Sequence, residues 1–171
     1  MKCDTQQLNE RIYINLILLF IILSSSTQAI AAVKFNFVSP TRKVSIVYAA
    51  DNNKLDSITA FLLANDIESV TGYRPQVTNN IAVVSGDVII IGTLHSRLIQ
   101  SLKDAYAKEI EGKWECYSRK VINKPLKNID QALVIVGSDS RGAAYGVFDL
   151  SESIGISPWY WWADVHPKKT K

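Results

Sequence analysis

Two short apolar runs, Val88-Ile89-Ile90-Ile91 and Ala132-Leu133-Val134-Ile135-Val136, constrain this chain more than any other feature. Neither alternates with polar residues, so a strand built from either must be covered on both faces, as the central strands of a parallel sheet are. Each run ends in glycine and small polar residues, Gly92-Thr93 and Gly137-Ser138-Asp139, and each is followed by a segment of helical character. A chain that alternates such runs with periodic segments folds as a sheet layered with helices.

The remaining elements fit that frame. Val44–Ala49 (VSIVYA) is β-branched and aromatic and reads as a strand. Asp51, Asn52 and Asn53 offer capping oxygens to a helix whose apolar residues Leu55, Ile58, Leu62, Ile67 and Val70 recur near a 3.6 period, and Gly72 closes it. Arg74–Val77 and Ile81–Val84 read as short strands. Ser96 caps a second helix carrying Leu98, Ile99, Leu102 and Tyr106. Trp114–Ile122 alternates as a half-exposed or edge strand does. A third helix spans Gly142–Ile154, capped by Ser138 or Asp139 and stopped by Gly155. The expected class is α/β: a mixed, mostly parallel sheet of about five strands with three helices.

Ile12–Leu23 is an almost unbroken apolar run behind Lys2 and Arg11, too short for a stable membrane span. The polar stretch Ser24–Gln28 and Ala29-Ile30-Ala31 follow it, the pattern of a signal peptide cleaved before Ala32. Asp4 and Glu10 offset the basic residues, so a retained N-terminal anchor is the alternative. Residues 1–31 are therefore expected to be a signal peptide, 32–165 one domain, and the basic tail 166–171 (HPKKTK) disordered. The expected location is periplasmic or extracellular, with no membrane contact after cleavage.

The 171 residues carry a net charge of +3, and removing residues 1–31 leaves that value unchanged. So small and dispersed an excess argues against nucleic acid, which requires a clustered basic stripe. Cys116 is alone in the mature chain and reads as a small hydrophobe. No cofactor or metal site is expected.

Two motifs invite chemistry. The turn GSDSRG, Gly137–Gly142, could hold an anion at a helix N-terminus with Arg141 assisting, but it lacks the spacing of a nucleotide loop. A capping role for Ser138 or Asp139, with Gly142 packed close to the sheet, is the stronger reading. The second motif is Ser157-Pro158-Trp159-Tyr160-Trp161-Trp162-Ala163-Asp164-Val165. In an extended segment Trp159 and Trp161 face one way and Tyr160 and Trp162 the other. Such a segment is either a joint between domains or a platform for sugars.

The segment RGAAYGVFDLSESIGISPWYWWADV (residues 141–165) resembles the signature of glycoside hydrolase family 115. DIESVTGYRP, VIIIGTL, IEGKWECY and ALVIVGSDSRG are similar to family segments in the same order. The resemblance implies the α/β domain that precedes a catalytic (β/α)8 barrel in xylan α-glucuronidases, which release glucuronic acid or its 4-O-methyl form with inversion. Inversion needs an acid and a base about 6.5–9.5 Å apart, and the family carries them beyond the last residue of this sequence. No catalytic residue is thus assigned. Asp149 and Glu152, one helical turn apart, read as solvated or capping. The partner expected is a glycosidase barrel, missing or separately encoded, with Tyr160 and Asp164 at the interface. The truncation implied is of the gene, of the reading frame or of the piece of chain given. An alternative makes the domain a carbohydrate-binding module in which Trp159, Trp161, Trp162 and Arg141 meet glucuronoxylan oligomers.

Overall fold

The computed structural model describes residues 35, 43–51, 54–102, 105 and 107–157. The signal segment, Asn52, Asn53, Tyr106, the aromatic run from Trp159 to Trp162, Asp164 and the basic tail lie outside the described residues.

Five strands among the described residues form one sheet: β1 (Ser45–Tyr48), β2 (Gln76–Thr78), β3 (Gly86–Thr93), β4 (Tyr117–Asn123) and β5 (Ile129–Gly137), in the order β2-β1-β3-β5-β4. All neighbours are parallel except β4, which runs antiparallel to β5 at the edge. The register places Val47, Ile90 and Val134 side by side on one face, and Ile46, Ile89 and Leu133 on the other. Because side chains alternate faces, a slip by one residue would exchange the two sets, yet both faces would remain apolar. That tolerance explains why β3 and β5 show no alternation. Val88, Ile89, Ile90 and Ile91 are all fully buried, and each contributes about 1.5–3 kcal/mol of hydrophobic stabilisation.

Three helices among the described residues cover the sheet. Helix α1 (Lys54–Thr71) and helix α3 (Ser140–Ser153) share one face, where Leu63, Ala64, Ile67, Ala143, Val147 and Leu150 pack on Ile46, Ile89, Ile91 and Ile135. Helix α2 (Arg97–Gln100) and the 3₁₀ turn Lys108–Ile110 contribute Ile99 and Ile110 to the core on the opposite face. The α/β class, the mostly parallel mixed sheet and the three helices agree with the sequence reading.

Local differences have local causes. Ile81–Val84 is not a strand: Ile81–Val83 is a 3₁₀ turn, because the Asn80 side chain accepts the Ala82 N–H at 3.0 Å and offers the backbone an alternative to sheet pairing. Ser96 caps α2 as expected, accepting the Ile99 N–H at 3.4 Å, but the helix ends at Gln100, and Leu102 enters the core from the turn beyond it. The buried stripe of α1 runs through Thr59, Ala60, Leu63, Ala64 and Ile67, while Ile58 is 54% exposed. Gly72 ends α1 with φ of 76°, in the left-handed region glycine tolerates, and its N–H donates to the Glu68 carbonyl at 2.7 Å.

Candidate functional site

The turn after β5 is built from the strand's end outward. Ser138 donates its N–H to the Cys116 carbonyl at 2.8 Å, and its hydroxyl accepts the Cys116 N–H at 3.1 Å. Asp139 caps α3: one carboxylate oxygen accepts the Gly142 N–H at 2.8 Å and the other the Glu115 N–H at 2.9 Å. These N–H groups, Gly142 first and then Glu115, hold the Asp139 carboxyl below the usual carboxylate range. Glu115 sits at φ of 54°, an uncommon conformation for a residue with a side chain. It is held there from three sides, since its carboxylate also accepts from Arg141 at 2.8 Å and from the Tyr145 hydroxyl at 3.4 Å. A Cβ on Gly142 would collide with the Cys116 carbonyl oxygen, so only glycine lets α3 start this close to the sheet. An outside anion would have to displace the carboxylate already seated at this helix N-terminus.

A different site lies between α1 and α3. Because Gly142, Ala143, Gly146, Val147 and Leu150 are buried on the inner side of α3, the residues Tyr145, Phe148, Asp149 and Glu152, at spacings of three, four and seven, share another side. They meet Leu62 and Asp66 of α1, with Tyr117, Ser151, Ile156 and Ser157, to line a groove of about 440 Å³. Phe148 is 47% exposed and Tyr145 46%. Burial pushes the Asp66 carboxyl above its ordinary value, while the Ser151 hydroxyl beside it pulls part of the way back. Burial also raises the Tyr117 hydroxyl, reinforced by the Asp149 carboxylate next to it. Asp149 is paired with Arg119 of β4 at 2.8 Å. Ser151 is buried, and its hydroxyl makes no hydrogen bond of good geometry among the described residues.

Of the residues singled out from sequence, Arg141 stands at the turn, bonded to Glu115 with its side chain 72% exposed. Trp159, Tyr160, Trp161, Trp162 and Asp164 lie outside the described residues. Asp149 and Glu152 line the groove together, and Asp149 is ion-paired. Asp66, Tyr117 and Ser151 were not marked by sequence reasoning. The available signal was the three-and-four spacing of Tyr145, Phe148, Asp149 and Glu152, which becomes legible once Gly142 and Gly146 identify the inner side of the helix. Among the described residues no group of three or more His, Cys, Asp or Glu is arranged to hold a metal ion. No helix among them is long and apolar enough to cross a membrane.

A mixed, mostly parallel five-stranded sheet, with a close-packed helix after β5 and a groove on its helical layer, defines the class as α/β. No family model matches the sequence, and no curated protein matches it. Among solved structures, the chain is similar to the family GH115 4-O-methyl-α-glucuronidase BtGH115A, an enzyme with specificity for decorated arabinogalactans: 29% identity, TM-score 0.59, over 74% of this chain. The match spans 16% of the length of that enzyme. The fold is therefore GH115-like. A second structure, a GH138 enzyme targeting pectin rhamnogalacturonan II, matches at 15% identity and TM-score 0.43, over 66% of this chain and 10% of that one. That likeness is too weak to argue from.

Proposed function

We propose that this chain is the non-catalytic N-terminal α/β domain of a GH115-like α-glucuronidase, acting on carbohydrate only together with a glycosidase barrel whose cleft it supports. The observation that carries the reading is the 29% identity over 74% of this chain against a sixth of the length of a 4-O-methyl-α-glucuronidase. The segment from Trp159 to Trp162, with Asp164, is proposed as the joint to that barrel, and the chain as an exported one. The substrate class is a polysaccharide bearing (4-O-methyl)glucuronic acid side chains. Xylan is the backbone suggested by the sequence resemblance and arabinogalactan the one named for the similar enzyme.

The groove's carboxyls do not make a better case for hydrolysis by this domain itself. Asp149 is tied to Arg119, and among the described residues no Lys, Arg or His lines the groove to receive a uronate. A negatively charged substrate would face Asp66 and Glu152 with no cation to answer them among the described lining residues. Assaying the purified chain for uronic acid release from glucuronoxylan and from a glucuronidated arabinogalactan tests the reading. No release is expected from the chain alone, and turnover would overturn the proposal.

A further inference from the structure

We propose that the groove between α1 and α3 is a subsite for a neutral sugar residue, an inference that rests on the carbohydrate reading above and adds a site to it. Three properties of the groove point the same way. Its volume of about 440 Å³ lies within the range of small-ligand sites, roughly 300–1,000 Å³. Tyr117, Tyr145 and Phe148 line it together, and aromatic faces pack on the C–H faces of sugar rings. Polar groups stand among those rings: the Asp66, Asp149 and Glu152 carboxylates.

The carboxylates narrow the ligand class. An apolar occupant would leave them dry and without donors. A polyol satisfies them, because sugar hydroxyls donate to carboxylates. The charge then sets the sign of the selection. With no cation among the described lining residues and Arg119 held by Asp149, a uronate is repelled and an uncharged backbone or branch sugar is admitted. This domain would thus hold neutral sugars while the uronic acid is handled elsewhere.

Calorimetric titration of the 171-residue chain with xylotetraose and with a β-1,6-galactotetraose, at pH 7, tests the subsite. Saturable binding is expected for at least one of them, weakened at least ten-fold by Phe148→Ala. An aldotetrauronic acid should bind at least ten-fold more weakly than the better neutral probe. Circular dichroism establishes that each variant is folded. The proposal is overturned if neither neutral sugar binds the folded chain, if Phe148→Ala leaves the affinity unchanged, or if the uronate binds better. Displacement of the sugar by tetralysine would assign the carboxylates to a cation instead and overturn it equally. A chain that binds no sugar leaves the scaffold reading standing, whereas release of uronic acid by the chain alone defeats that reading without touching the subsite.

Discussion

The two ends of the α3 environment treat their polar groups in opposite ways. At its N-terminus, Asp139, Glu115, Arg141 and Tyr145 satisfy one another across the turn, and Ser138 is paired with Cys116. Further along the same helix, Phe148 remains half exposed, and Asp66 of α1, beside Ser151, is pushed toward its neutral form by burial. The turn has the look of a ligand loop in sequence but is saturated from within the chain. The groove carries no recognisable motif yet stays open, lined by aromatic rings and carboxylates. Open surface, more than motif resemblance, marks where a ligand could act.

The largest expected effect comes from breaking the turn's close approach. Gly142→Val drives a side chain into the Cys116 carbonyl, which is backbone and cannot swing aside. A loss of about 3 kcal/mol is expected in urea unfolding, and retention of wild-type stability would show that α3 can shift away from β4.

Next comes Asp56, a second acid of α1 whose pKa burial raises. It is buried, one carboxyl oxygen has no hydrogen-bond partner among the described residues, and burial, then the charge of Asp51, raises its pKa to about 6. Its folded pKa lies above the unfolded value, so its stabilising contribution is complete below about pH 4 and is lost as pH rises through about 6. Asp56→Asn should therefore gain on the order of 2 kcal/mol at pH 7.5 relative to wild type, and the gain should vanish near pH 4. A gain that does not depend on pH would mean that the carboxyl is not the cause.

Replacing the cap by Asp139→Ala should cost about 1 kcal/mol or more, because it frees the Gly142 and Glu115 N–H groups together. Its pH dependence has the opposite sign. Asp139 has a depressed folded pKa, so its contribution is present above the unfolded value and disappears as pH falls through the folded one. Asp66 follows Asp56 in sign, with stability lost as pH rises. Stability-versus-pH curves for Asp139→Asn and Asp66→Asn should both approach wild type at low pH, where the acid is protonated, and separate from it in opposite directions as pH rises, Asp139→Asn falling below and Asp66→Asn rising above; separation in the same direction would remove the contrast between turn and groove. The smallest effect is expected for Arg141→Ala: the ion pair with Glu115 is exposed, and the urea midpoint should stay close to that of wild type.

Legibility followed the same division. Val88–Ile91 and Ala132–Val136 announced buried parallel strands because uniform apolarity has only one comfortable setting, and Ser96, Gly72 and Gly155 marked helix ends because their chemistry is local. Asp139 and Gly142 were readable for the same reason. Ile81–Val83 was misread because a single Asn80 hydrogen bond outweighed β propensity in a segment with little to bury. The exposure of Ile58 was hidden because periodicity shows that a helix has an apolar stripe but not which of two adjacent stripes the sheet will take.

The amino-acid order alone determined most element types, the segment around Ile81–Val83 excepted, the α/β class, the half-exposed or edge character of the strand in Trp114–Ile122 and the capping of the final helix by Ser138 or Asp139. Each of these depends on residues within a few positions of one another. Only the tertiary structure brought Asp66 of one helix beside Ser151 of another, tied Asp149 to Arg119, and held Glu115 at a positive φ. Those arrangements depend on how closely α1, α3 and β4 approach across distances in sequence that local propensity does not encode.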